Sequence, residues 1–181
     1  MDTFEKIMLI IVFCVFASIP IYGYVCHLIG KKRMESGVDK RKLQYIMSKV
    51  VTSGENYTTA YASWYDVDFP KWGRHYTTSY WYYAIGFNDT RIYIVPLMFE
   101  CGEIYYKNYY CVEKSMVAKV ESEPKYGKIK LFDRNGNIIA HLHVEESNNY
   151  SHGNGNINLY QKEEFEAFCN LIVNWTSEIN G

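Results

Sequence analysis

The chain has 181 residues, of which 22% are charged and 17% aromatic, and its formal net charge is −1. The charge is unevenly divided: residues 1–51 hold eight Lys or Arg against four Asp or Glu, and the remainder holds eleven against sixteen. That balance argues against nucleic acid as the main partner, because phosphate binding needs a local surplus of Lys and Arg.

The 23 residues from Ile7 to Ile29 contain no Asp, Glu, Lys or Arg. As a helix they reach roughly 34 Å, enough to cross a hydrocarbon core of about 30 Å. The start of the chain lacks the basic n-region of a signal peptide, the run exceeds the usual apolar core, and no small-x-small site ends it. An uncleaved transmembrane anchor over residues 1–30 is therefore expected. Lys6 is the only basic residue before it, whereas Lys31, Lys32, Arg33, Lys40, Arg41 and Lys42 follow. The positive-inside rule then places the C-terminal side in the cytoplasm of a single-pass protein at the cell membrane.

Residues 31–53 read as a basic juxtamembrane helix. Leu43, Ile46, Met47 and Val50 recur at helical spacing, with Asp39 as N-cap, Ser53-Gly54 as stop and Lys40, Arg41, Lys42 and Lys49 opposite. Two placements are open to it: the apolar stripe lies on the inner leaflet, or it packs on the following domain.

One domain of ordinary size is expected over residues 54–181. Residues 57–83 hold eleven aromatics interrupted by Pro70 and Gly73, read as an irregular segment leading into a strand near Tyr80. Packing on a sheet face is the expected role, against a sugar platform, a single-strand platform or a membrane-interface belt. Strands follow at Tyr80–Phe87, Arg91–Phe99 with Pro96 marking an edge or bulge, Tyr105–Glu113 and Met116–Glu123. Lys128–Phe132 and Asn137–Val144 are joined by a turn at Arg134-Asn135-Gly136. Asn148–Asn158 reads as a loop and Lys162–Ile179 as a helix with Phe165, Phe168, Cys169, Ile172 and Trp175 on one face. The fold class is mainly β, with α+β character.

With these elements in place, the chain resembles bacterial pleckstrin-homology-like (PH-like) domains. The match lies in Tyr83-Ala84-Ile85-Gly86-Phe87-Asn88-Asp89-Thr90-Arg91-Ile92-Tyr93-Ile94-Val95-Pro96-Leu97, similar to that group's hairpin between its first two strands. A second match is Lys128-Ile129-Lys130-Leu131-Phe132-Asp133-Arg134-Asn135-Gly136, and Tyr160-Gln161-Lys162-Glu163-Glu164-Phe165 resembles the entry to its last helix. The resemblance implies a bent antiparallel sandwich of about seven strands capped by a C-terminal helix. It also implies a binding or scaffolding module, with no cofactor and another protein as partner, rather than an enzyme. Relatives of this fold bind phosphoinositides through a basic first hairpin loop. Taken at 83–97, that loop offers only Arg91, so a phosphoinositide partner is disfavoured.

Catalytic candidates are few. His141, His143 and Glu145, at alternate positions of a strand, share one face and present two imidazoles and a carboxylate, the donor set of a metal-dependent hydrolase. His75 and His152 are further donors. A solvated strand face is the expected role for the three. Cys101 or Cys111 with His141 is a weaker nucleophile pair. Cys101, Cys111 and Cys169 are expected as reduced thiols, with a Cys101–Cys111 bridge as the alternative. Four N-x-S/T triplets begin at Asn56, Asn88, Asn149 and Asn174. They matter only if the domain faces a glycosylating lumen, as a receptor of opposite topology with an aromatic platform would.

Overall fold

The computed structural model describes residues 3–51, 54–68, 77–100, 103–148 and 157–181. Helix α1 (Thr3–Ser36) runs unbroken through the apolar stretch and the Lys31-Lys32-Arg33 flank. It is long and apolar enough to cross a membrane: the candidate span is Val12–Ser36, and no residue of its most apolar 18-residue window is buried by the rest of the chain. Phe13, Phe16, Ile19, Tyr22 and Ile29 are all exposed along it.

Gly37 separates α1 from α2 (Val38–Val50) and adopts φ 63, a left-handed conformation that suits glycine. Asp39 does not cap α2 as the sequence suggested; the cap position is Gly37, and Asp39 lies one residue inside the first turn. The reason is that its carboxylate is used elsewhere. It accepts from Arg33 at 2.8 and 3.1 Å through Oδ1 and from the Asn158 backbone N–H at 2.9 Å through Oδ2.

The domain is built on β1 (Thr58–Asp68), β2 (Thr77–Phe87), β3 (Arg91–Glu100), β4 (Glu103–Tyr106), β5 (Tyr110–Glu113), β6 (Lys119–Glu123), β7 (Lys128–Phe132) and β8 (Ile138–His143). All pairings are antiparallel, in the order β4-β3-β2-β1-β8-β7-β6, with β5 also on β3. Short strands β9 (Ser147–Asn148) and β10 (Leu159–Tyr160) pair with each other, and α3 (Lys162–Asn180) closes the chain. The mainly β, α+β class is thus what the chain adopts: an antiparallel sheet of seven to eight strands with a C-terminal helix.

Two cores sit on opposite faces of this sheet. On the inner face, residues from both halves, such as Ile85, Ile94, Leu131 and Leu142, meet Phe168, Leu171, Ile172 and Trp175 of α3. The spacing of these four helix residues is the i, i+3, i+4, i+7 stripe of an amphipathic helix. Trp175, fully buried, donates through Nε1 to the Asp89 carbonyl at 3.0 Å, so the indole N–H is satisfied where the β2–β3 turn meets α3. On the outer face, Leu43, Ile46 and Met47 of α2, with Ile157 and Leu159, cover Tyr61, Ala84, Tyr93, Val95 and Leu97. Of the two placements open to α2, its apolar stripe therefore takes the domain. The fit is close: a Cβ on Gly86 would lie 2.6 Å from Met47 Cε.

Several sequence expectations are corrected here. Residues 58–68 are not irregular but the full strand β1, paired with β2 along its whole length. The hairpin at 83–97 consequently joins the second and third strands, not the first two. Tyr105–Glu113 is two strands. Pro96 falls between the β3 residues that pair with β5 (Arg91–Ile94) and those that pair with β4 (Leu97–Glu100). A residue without an N–H stands where the ladder on that edge changes partner. Met116–Glu123 begins as a single 3-10 turn at Lys114–Met116 before β6 starts. The Asn148–Asn158 loop contributes Asn148 to β9, and its residues 149–156 lie outside the described residues.

Candidate functional site

The β1–β2 hairpin carries the aromatic segment, and register decides which side chain faces where. Tyr65 stands opposite Tyr80 and Ser63 opposite Tyr82, on the outer face; Trp64 stands opposite Trp81 on the other. Tyr61, Tyr82 and Tyr80 form a stacked row, with centroids 6.3 and 6.5 Å apart, and Phe99 meets Tyr82 edge-on at 5.3 Å. The row starts buried under the α2 side of the sheet at Tyr61 and ends exposed at Tyr80, 38% accessible, beside Tyr65 at 52%. Core packing therefore accounts for the near half of the segment and not for the far half. Burial, with the neighbouring Tyr82 and Glu145, pushes the Tyr61 phenol far above its ordinary value, so it stays protonated.

Beside this end of the sheet lies the edge formed by β4 and β5, where Tyr105, Tyr106, Tyr109 and Tyr110 are all exposed. The opposite edge, β6, is partly closed. Asn180, at the end of α3, accepts from the Val120 N–H at 3.0 Å and donates to its carbonyl at 2.7 Å. An amide side chain there occupies hydrogen-bonding positions that another strand would use.

The six basic flank residues do not act alike. Arg33 is consumed by buried Asp39 and Lys40 pairs with Glu164 at the start of α3, while Lys31 sits 4.0 Å from Glu35. Lys32, Arg41 and Lys42 have no ion-pair partner among the described residues.

His141 and His143 do share the solvent side of β8, between inward-facing Ala140 and Leu142. His141, however, stacks on Trp64 with the rings 26° apart, and His143 Nε2 is 3.8 Å from Glu145 Oε1. No group of three or more metal-donor side chains occurs among the described residues; His75 and His152 lie outside them. The His141 face under Trp64 is committed to packing, which sequence spacing alone did not reveal. Burial brings the His141 imidazole down to about 4, with Lys130 adding to the effect against Asp66 and Glu121. His143 is lowered for the same first reason.

Because both folded-state values lie below the ordinary 6.5, the unfolded chain binds these protons more readily. Their contribution is complete above pH 6.5 and is lost as pH falls from there toward about 4. The expected melting temperature is level above neutrality and declines across that window. His141→Asn flattens the decline, as thermal scans at stepped pH will register.

Cys111 and Cys169 are free and half-buried, and burial pushes both thiols up, away from an activated nucleophile. Cys101 lies outside the described residues. At the β2–β3 turn, Glu55 accepts from Tyr93 Oη at 2.8 Å and from Asn88 Nδ2 at 3.0 Å, with Arg91 Nε 3.4 Å away. The Tyr93 bond first, then Asn88 and Arg91, hold its carboxyl below the usual range despite partial burial. Arg91 is thus tied into a structural cluster at the second turn. It says nothing about a phosphate site at the first hairpin, because residues 69–76 between β1 and β2, Lys71 and Arg74 among them, lie outside the described residues.

Two shallow clefts flank α3. One, of about 320 Å3, lies between the β2–β3 turn and Ala167 and Leu171; the other, of about 460 Å3, lies between Pro124 and Phe165. Neither gathers nucleophile, base and anion donors in one place.

No family model matches the chain, and no curated protein matches it. Among solved structures it is similar to the hSac2 domain from human phosphoinositide phosphatase Sac2, at 12% identity and a TM-score of 0.37. That match covers 82% of this chain and 86% of the other, and a likeness this slight carries no argument about function.

Proposed function

We propose that the chain is a single-span membrane protein whose β domain is a non-enzymatic, PH-like binding or scaffolding module at the inner membrane face. Its partner is another protein. The observation that carries this reading is the joint between α1 and the domain. The apolar helix continues without a linker into Arg33, which is bound to the buried carboxylate of Asp39, and Asp39 in turn holds the backbone of Asn158. A domain fixed to a membrane helix in this way is presented rather than tethered. The exposed tyrosines of the β4–β5 edge supply aromatic area of the kind enriched where proteins meet.

The inner side is supported by Asn88 as well as by the charge flank. Its Nδ2 donates to Glu55 and to the Asn56 carbonyl, and its Oδ1 accepts from the backbone N–H groups of Thr90 and Arg91. A glycan on that nitrogen replaces one of its two hydrogens, so at least one of these two bonds is lost, and the sugar would crowd the cleft beside α3. The sequon at Asn88 therefore fits a compartment that does not glycosylate.

An added thiol at Asn108→Cys, in the turn between β4 and β5, tests the side. In intact cells a membrane-impermeant maleimide leaves it unlabelled, and permeabilisation exposes it. Labelling in intact cells would replace this reading with a receptor of opposite topology. Photo-crosslinking from Tyr109 tests the surface: a discrete protein adduct is expected there and not from exposed Tyr126.

A further inference from the structure

We propose that the outward face of α2 is a docking surface for the anionic headgroups of the bilayer that α1 crosses. The inference rests on reading α1 as a membrane span. An apolar helix stripe was the natural membrane-facing candidate, but Leu43, Ile46 and Met47 are buried against the sheet. What α2 shows to solvent is the opposite stripe, Arg41, Tyr45 and Lys49 at i, i+4 and i+8, with Lys42 beside it. The only acid in α2 is Asp39, and it is fully buried on Arg33.

Placement selects the lipid as occupant. A Cβ on Gly30 would lie 3.1 Å from Asn158 Oδ1, so the domain touches α1 at the residue that follows the apolar run. From there to Gly37 is about 10 Å of helix, close to one Debye length at physiological salt. The Arg41 guanidinium folds back to this joint, with its Nη1 3.6 Å from the Cβ position of Gly37. Lys49 lies over the ring of Tyr45, 5.2 Å from its centroid. An exposed tyrosine between cations is the composition of a headgroup-level contact. Lys32, exposed on α1 two residues after Gly30, adds a cation close to the end of the apolar run.

The test uses the full chain in nanodiscs of phosphatidylcholine alone, or of a mixture rich in phosphatidylglycerol. A neutral amine-acylating reagent is applied briefly and each lysine is read by mass spectrometry. Lys42 and Lys49 are expected to react at least about threefold more slowly on the anionic discs, and high salt restores them. Lys125, exposed on the turn before β7, is the reference and keeps one rate. Joint Arg41→Gln and Tyr45→Ser substitution, at two exposed positions, returns Lys49 to its phosphatidylcholine rate. Equal rates on both lipids, or slowing of Lys125 to the same extent as Lys49, overturn the proposal. Protection of Lys49 that ignores both lipid charge and salt points instead to a protein on this face. Release of the chain by alkaline carbonate is a separate result, which removes the span and this surface together.

Discussion

Gln161→Leu is expected to lower the unfolding free energy by about 3–5 kcal/mol, although it removes no charge and keeps much of the side-chain volume. Gln161 is only 2% exposed and stands where β1 and β8, joined in register only at Ser63 and His143, part company. Its amide does there what a strand would do. Oε1 accepts from the Tyr61 N–H at 2.9 Å, and Nε2 donates to the carbonyls of Tyr61 at 2.9 Å and Glu145 at 2.8 Å. Leucine leaves the buried N–H and carbonyl of Tyr61 and the part-buried carbonyl of Glu145 without this partner, at roughly 1–3 kcal/mol for each buried group before relaxation or water entry reduces the sum. Chemical denaturation of the full chain in detergent measures the total, and amide exchange at Tyr61 localises it. A loss below about 1 kcal/mol would mean that water replaces the amide at no great cost.

The same residue shows where sequence reasoning stops. A glutamine before a helix carries no signal that its side chain will close a gap in a sheet. Elements with one buried face were legible. Lys128–Phe132 alternates lysine with Ile129 and Leu131 and is β7 residue for residue, and α3 extends one residue beyond expectation. Strand β1 was not legible, because it is covered on both sides. Ala60 and Ala62 enter one core and Tyr61 the other, so apolar side chains face both ways and the period-2 contrast disappears. Missing that strand moved the first hairpin one strand too far along, and with it the argument built on Arg91.

At the candidate sites the residue types were readable and their commitments were not. His141 and His143 share one face of β8 as alternation requires, with Glu145 beyond the end of the strand, yet Trp64 comes from a different strand to stack on His141. The six cations after the apolar run were visible as a group. Which of them remain free depends on Asp39 and Glu164, the second lying more than a hundred residues away in sequence. Long-range pairs of this kind leave no mark on spacing.

Asp39→Ala is expected to cost about 2–4 kcal/mol and, more specifically, to release α1 from the domain. The carboxylate is fully buried, while the Arg33 side chain remains about one-third exposed. Removing the acid therefore leaves the Asn158 N–H without its acceptor but lets the guanidinium turn toward solvent. Asp39→Asn keeps an acceptor for Asn158 and loses the charge pair, so its cost is expected to be roughly half. The pair's coupling is read from a cycle with Arg33→Ala, in which the double substitution costs less than the two singles combined. Trypsin supplies the structural readout. Cleavage after Arg33 and Lys40 accelerates in Asp39→Ala under conditions where the β domain stays intact, because both residues lie at the loosened joint. If the alanine variant melts lower but the joint is cut no faster, Asp39 stabilises the fold without holding α1. Faster cutting with an intact domain shows that one buried carboxylate determines whether α1 and the domain move as a single body.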